Sequence, residues 1–243
     1  MRYCDYSVSK YIINSLLKNR TIDEIREYLD LDEVAESGIL RNNKFSNILC
    51  TATTIVTSDG YAFYTSRSRQ VSSDKGYYTS AIAENIHQQK DESLTNSQED
   101  ELPAPFKTVI RGLEEEVSPA AAEYVKTHPH CVFLLGIAFD LQGLRPDLLF
   151  MILFPMTRDT VLKMIRERPG KDFFEGKLQA VSIIDNFEAL NSLLADPLWI
   201  PGGKASLIRT LEFLQVLQHS NPDVTFEDIA RKFLSGKALL HQK

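Results

Sequence analysis

The run Leu148-Leu149-Phe150-Met151-Ile152-Leu153-Phe154 sets the tightest limit on what this chain can become. A strand that is apolar at every position has no face to give to water, so it belongs inside a sheet covered on both sides. Cys131 to Asp140 is a second strand of similar apolar density, joined to the first through Leu141-Gln142-Gly143-Leu144-Arg145-Pro146-Asp147. The two are expected at the centre of the sheet. Such runs are under half the length that spans a bilayer, and the start MRYCDYSVSK has no apolar signal core. A soluble, cytoplasmic protein is therefore expected.

The chain upstream also reads as β. Ile48 to Thr57 is rich in β-branched residues, Ser58-Asp59-Gly60 is a hairpin turn, and Tyr61 to Ser66 returns. A further strand spans Tyr77 to Ala83. Residues 85–105, NIHQQKDESLTNSQEDELPAP, are polar and rich in breakers, which predicts a long surface loop, mobile without ligand. Phe106 to Val117 then places Val109, Leu113 and Val117 on one stripe of a helix that Pro119 ends or breaks, and a short helix follows over Ala120 to Lys126. Beyond the two apolar strands come a helix at Thr157 to Arg168, a strand at Leu178 to Ile184, and helices at Phe187 to Leu194 and Ser206 to Leu217. Strands, a carboxylate-bearing helix, strands and closing helices in this order predict an α/β/α sandwich around a mixed β-sheet.

Residues 1–45 form an N-terminal helical arm, with one helix over 7–19 and a second opened by the capping box Thr21-Ile22-Asp23-Glu24. The main domain runs from 46 to 218, and 219–243 is a C-terminal helical tail with a capped helix from Thr225 to Leu234. The arm carries seven Lys/Arg against eight Asp/Glu, and the whole chain of 243 residues has net charge −6. Neither gives the basic footprint of a nucleic-acid binder. Packing against the main domain or a partner subunit is the expected use of the arm, so a homodimer is admitted. Cys4, Cys50 and Cys131 are too scattered for a disulfide framework or a paired-Cys metal motif and fit a reducing cytosol. His128-Pro129-His130-Cys131 lacks distant partners for zinc and reads as a loop before a strand. No G-x-S-x-G elbow and no G-x-G-x-x-G turn is present.

The chemistry concentrates in Arg111-Gly112-Leu113-Glu114-Glu115-Glu116-Val117. On a helix Arg111 can clasp Glu115 one turn on, while Glu115 and Glu116 converge on one side. Adjacent carboxylates suit Mg²⁺, which takes oxygen ligands, usually one or two carboxylates, and leaves the rest of its shell to water and phosphate. The stretch resembles the core of the Nudix box, G-x5-E-x7-R-E-U-x-E-E-x-G-U with U aliphatic. Arg111, Leu113, Glu115 and Glu116 match it; Gly112 stands where the pattern has Glu, Ser118 and Pro119 replace its close, and the upstream Glu falls on Pro103. Thr57-Ser58-Asp59-Gly60-Tyr61 through Arg67-Ser68-Arg69 resembles the opening hairpin of the same family, and Ala83-Glu84 sits where it often has G-G-x-x-E.

The resemblance to the Nudix hydrolases implies a Nudix-like fold and Mg²⁺- or Mn²⁺-dependent hydrolysis of a nucleoside diphosphate linked to another group. It implies metal ligands at Glu115, Glu116 and Glu84, with Arg111 orienting them, and substrate contacts from Arg67 and Arg69. Asp172 or Glu175 would help activate water. Trp199-Ile200-Pro201-Gly202-Gly203-Lys204 lacks the spacing of a Nudix box or a Walker motif and reads as a helix start, at which Lys204 and backbone N–H groups could hold an anion. The expected partner is a nucleotide-type small molecule, with no nucleic acid and no membrane. Because Gly112 removes a carboxylate, weak metal binding is expected, strengthened by Gly112→Glu. The rival reading is a catalytically weak or inactive Nudix-fold nucleotide-binding or regulatory module.

Overall fold

The computed structural model describes residues 24, 49–71, 74–87, 102–140, 145–220 and 228. The chain forms two units, Met1–Leu49 with Phe139–Pro146 and Cys50–Ala138 with Asp147–Lys243; the second carries the candidate site and all but the ends of two strands described below. Within the arm and the tail, Glu24 and Asp228 are helical, and the other residues of the expected arm, most of the expected 85–105 loop and the expected Thr225–Leu234 helix lie outside the described residues.

Strand β1 (Cys50–Val56) is buried at every residue. Its β-branched side chains suit a pleated, two-sided core. It pairs in parallel with β6 (Arg145–Leu153), from Cys50 opposite Asp147 to Val56 opposite Leu153. The turn Thr57 to Gly60 leads to β2 (Tyr61–Arg67), with the Gly60 N–H donating to the Thr57 carbonyl at 3.0 Å and Gly60 at φ +73°. Glycine supplies that left-handed conformation without a steric cost.

The hairpin then opens. β2 stays beside β1 only at Ala62 and Phe63, and the next strand fills the gap in two pieces. β3 (Tyr78–Ser80) pairs with β2, and β4 (Ile82–Asn85) pairs with β1. The single strand expected over Tyr77 to Ala83 is thus split at Ala81, because its ends follow two strands that have diverged. β7 (Gly176–Ser182) covers the other edge of β2 along its whole length. The result is a seven-stranded mixed sheet of order β3-β2-β1-β6-β5, with β4 on β1 and β7 on β2.

β5 (Val132–Asp140) is the terminal strand of that order, not a central one. Leu134 and Ile137 are 49% and 70% exposed. Gly136 between them, at φ +156°, breaks the alternation that would have sent one of the two inward. Apolar density alone did not distinguish an edge strand from an interior one.

Helices cover both faces. On one face α1 (Ala104–Gly112) and α2 (Pro119–Thr127) lie with α3 (Arg158–Glu167); Phe106 packs edge-on against Phe150 at 5.2 Å, and Tyr124 packs against Phe154 at 5.8 Å. On the other, α4 (Phe187–Ala195) and α5 (Pro201–His219) bury Leu190, Leu207, Leu214 and Leu217 against Val56, Met151, Leu153 and Val181. The expected α/β/α layering is present.

α5 begins five residues before the expected Ser206, taking Pro201, Gly202 and Gly203 into its first turn. Pro is at ease there, but two glycines are poor helix formers. Packing explains them: a Cβ on Gly203 would stand 2.8 Å from the Thr79 Cα, and Tyr78 is bridged on both sides by the N–H of Ile200 and the carbonyl of Leu198. Gly203→Ala, stabilising at an exposed helix position, is therefore expected to destabilise by about 1–3 kcal/mol in urea unfolding. An unchanged or raised midpoint would contradict this contact.

Candidate active site

α1 buries Val109 and Ile110 and carries Arg111 in its last turn. After Gly112 the helix widens into a π-turn over Leu113–Val117, closed by the Ser118 N–H donating to the Leu113 carbonyl at 2.7 Å. Such i→i−5 turns are rare and frequently mark functional sites. Ser118 is extended, its hydroxyl donates to the Arg168 carbonyl at 2.7 Å, and Pro119 opens the next helix at a position where its missing N–H costs nothing.

The widened turn leaves carbonyls for other donors. The N–H of Gly170 donates to the Val117 carbonyl at 3.0 Å, and that of Asp172 to the Glu115 carbonyl at 2.8 Å. Gly170 has to be glycine for this approach, since a Cβ there would collide with the Glu115 carbonyl oxygen. Lys171 between them reaches the Glu115 carboxylate at 3.0 Å. The segment continues through a short turn, Phe173–Glu175, and the Glu175 carbonyl accepts from the Ser68 N–H at 2.7 Å. Asp172 and Glu175 are thereby held next to the end of β2.

Seven side chains singled out in the sequence lie in this region, about two openings. Arg111 lies between Glu84 and Glu115, but unequally: its Nη1 is 2.7 Å from Glu84 Oε2 and 3.8 Å from Glu115 Oε2. Its Nη2 also donates to the Asn85 carbonyl at 2.8 Å. The expected clasp on Glu115 exists, and the tighter grip is on β4. Glu116 accepts from the Ala83 N–H at 3.1 Å. Arg67 shares with Glu116, Asp172, Phe173 and Glu175 a slot of about 30 Å³. That is room for a water or a small cation and too little for a nucleoside. The Nε of Arg67 is itself buried without a hydrogen-bond partner among the described residues.

Burial first, then the negative charge of Glu84, pushes the Glu116 carboxyl from its ordinary 4.5 up to about 8, against the opposing pull of the Ala83 N–H and Arg67. Two carboxylates with insufficient compensating charge resist ionising together. Hard oxygen donors of this kind match a divalent cation in type, although among the described residues no group of three or more His, Cys, Asp or Glu converges on one ion position. One or two carboxylates suffice for Mg²⁺.

Other expected residues lie elsewhere. Arg69 is exposed in the turn beyond β2 and does not line the slot. Lys204 is in the first turn of α5, on the face of the sheet opposite the π-turn, where the helix start is packed on Thr79 and Ser80 rather than open to an anion. Gly112 leaves no space for a glutamate: a Cβ there would collide with Ile82 and stand 2.8 Å from the Glu84 Cγ. The expectation that Gly112→Glu strengthens the site is overturned by that contact. His128 stacks on Tyr124 at 4.2 Å, and burial pushes the Cys131 thiol up to about 12, which suits a loop before a strand and not a zinc site. Lys171 and Gly170 went unrecognised as site-forming residues in the sequence.

No family model and no curated protein matches the sequence. Among solved structures, the bifunctional NMN adenylyltransferase/ADP ribose pyrophosphatase of Francisella tularensis, in complex with AMP and a manganese ion, aligns over 84% of this chain at 12% identity and TM-score 0.42. The chain spans 52% of that enzyme's length. A second structure of the same enzyme aligns over 78% of this chain and 46% of its own, at 12% identity and TM-score 0.43. Tm1382, provisionally named a Nudix hydrolase, aligns over 87% of this chain and 88% of its own at 13% identity and TM-score 0.40. At such scores these neighbours carry no argument, and the site rests on its own residues.

The raised Glu116 proton affinity has a signed consequence for stability without metal. Below about 4.5 the carboxyl is protonated folded or unfolded and contributes nothing. Between 4.5 and about 8 the unfolded chain has released the proton that the folded chain still holds, so rising pH drains stability until the folded group ionises as well. Thermal unfolding of the metal-free protein should therefore show a falling midpoint across this range, and Glu116→Gln should flatten it. Parallel pH profiles for the two proteins would refute the burial of Glu116 as its dominant influence.

Proposed function

We propose that the chain is a Nudix-type hydrolase that cleaves a nucleoside diphosphate linked to another moiety, with Mg²⁺ or Mn²⁺ as cofactor. The observation that carries this reading is the gathering of Glu84 and Glu115 about Arg111 at a widened helix end, with the adjacent Glu116 lining a slot of water or cation size together with Arg67. Arm, domain and tail are proposed to divide at residues 45 and 218. The residues fit the cofactor in donor type, and a divalent cation supplies charge neutralisation for the diphosphate and acidifies the attacking water.

The chain's own groups do the rest. Arg111 fixes the Glu84 carboxylate and its strand through two guanidinium nitrogens, Nη1 on Glu84 and Nη2 on the Asn85 carbonyl. Arg67 presents a buried, unmatched donor to a phosphate oxygen. Asp172 and Glu175, pinned to the π-turn and to β2, stand where a carboxylate can take the proton of the attacking water. The Cys50 thiol donates to the Asn85 side-chain carbonyl at 2.8 Å and Cys131 is buried, and among the described residues no helix is long and apolar enough to cross a membrane; a cytoplasmic setting is proposed.

A second reading has its own observation. Arg111 and Lys171 already partner Glu84 and Glu115, which lowers the net negative charge offered to a cation and favours a nucleotide-binding module that does not cleave. A hydrolysis screen over ADP-ribose, dinucleotides, nucleotide sugars and nucleoside triphosphates, with Mg²⁺ and with Mn²⁺, separates the two. Product formation is expected, and Glu116→Gln should lower kcat by about 100-fold or more without unfolding the protein. Arg67→Ala should raise KM by about ten- to hundredfold through the loss of a charge-assisted phosphate contact. Metal-independent nucleotide binding in calorimetry, with no product across the screen, establishes the module instead.

A further inference from the structure

We infer that the apolar groove between α4 and the C-terminal half of α5 is the seat of the chain's own C-terminal segment, which lays Phe226, Ile229 and Phe233 into it within the same molecule.

The groove has a volume of about 550 Å³, walled by Ile184 and Phe187 on one side and by Leu211 and Leu214 of α5 on the other. Its floor is the domain core itself, since Ile183, Leu190 and Leu214 line it and also belong to the buried cluster under α4 and α5. Its upper wall is not covered: Ile184 is 38% exposed and Phe187 63%. An open apolar hollow of this size, continuous with a core, marks a surface built to be covered.

Where the chain goes next identifies the cover. Gln218 and His219, in the last turn of α5, form the rim of the groove, and the described run ends one residue later at Ser220. Pro222 does not allow α5 to continue. Residues 221–224 make a connection of the length that joins neighbouring antiparallel helices. Beyond it, a helical turn of about 100° per residue puts Phe226, Ile229, Ala230, Phe233 and Leu234 on one stripe, with Glu227, Asp228, Arg231 and Lys232 opposite. Asp228, the one described residue of this segment, agrees with the pattern: it is helical and exposed. A helix this short is marginal in water unless its apolar stripe finds a surface. The nearest such surface begins at the residue from which the segment departs.

Charge fits the same seating. Asp185 and Glu188 stand exposed beside the groove-lining Ile184 and Phe187, and Arg231 and Lys232 are cations of the polar face of the segment. The short connection gives the segment an effective concentration on the order of millimolar at the groove, which a second copy would have to match.

The test is hydrogen exchange of the full chain, read by mass spectrometry, with molar mass measured by light scattering. In the wild type, residues 183–190 and 226–234 should both be protected. Phe233→Asp, a change outside the domain core, should speed exchange in both stretches by about tenfold or more at unchanged molar mass. Phe187→Asp, on the groove wall, should do the same to 226–234, and Glu227→Gln, on the polar face, should alter neither. Free exchange of 226–234 in the wild type overturns the inference, as does protection of 183–190 that Phe233→Asp leaves intact. A wild-type dimer that Phe233→Asp converts to monomer also overturns it, because a second copy then fills the groove. The groove lies on the face of the sheet opposite the π-turn, so none of these outcomes bears on the hydrolase reading.

Discussion

The parallel pairing of β1 with β6 is the constraint from which the rest of the domain follows. Seven residue pairs run from Cys50–Asp147 to Val56–Leu153, and both strands are buried on both sides along most of this length. Parallel neighbours cannot be joined by a tight turn, so the chain between them must leave the sheet and cross over its face. That excursion contains β2 to β4, the carboxylate helix and β5. The same double burial demands helices on the second face, and α4 and α5 provide them. Polar atoms also tie the layer together: the hydroxyls of Thr54 and Ser206 lie 2.9 Å apart, and Ser206 also donates to the Phe150 carbonyl.

The candidate site lies where this regular frame is interrupted. β1 and β2 diverge after two pairs, the strand at 78–85 enters the gap, and its second half brings Ala83, Glu84 and Asn85 beneath the end of α1. The helix answers with a π-turn, whose spare carbonyls are met by Gly170 and Asp172. Each irregularity is thus satisfied by another. The D-G turn joins in as well, since the Asp59 carboxylate accepts the Arg158 N–H at 2.9 Å at the start of α3, where the positive end of a helix favours a negative charge.

How far this was legible depends on the range of the signal. Periodicity and turn chemistry are local, and they located the hairpin, α2, α3, β7 and α4 to within a few residues. The Arg111–Glu116 stretch was conspicuous for the same reason: its chemistry is contiguous. What stayed hidden was set by contacts far apart in sequence. The early start of α5 depends on Gly203 meeting Thr79, more than a hundred residues away. The edge position of β5 depends on which strands find partners, which apolar content does not encode. Lys171 is one lysine among many until the Gly170 backbone places it on Glu115. At Lys204 a helix start that looks open in sequence is packed on the sheet through Gly203, a contact equally invisible to local pattern.

Charge balance decides between catalysis and simple binding at such a site. Arg111 is about a tenth exposed and faces β4, so its charge is spent on Glu84 and on the Asn85 carbonyl at all times. Lys171 is nearly two-thirds exposed, and its bond to Glu115 is correspondingly screened and easily exchanged with solvent. The durable neutralisation therefore falls on one carboxylate of the three. Glu116 retains the deficit: it is crowded by Glu84 and Glu175, and Arg67 and a single backbone N–H do not offset that crowding. A proton satisfies Glu116 in the unliganded fold, at a cost in stability as pH rises, and in the reading proposed above a divalent cation would relieve the same deficit.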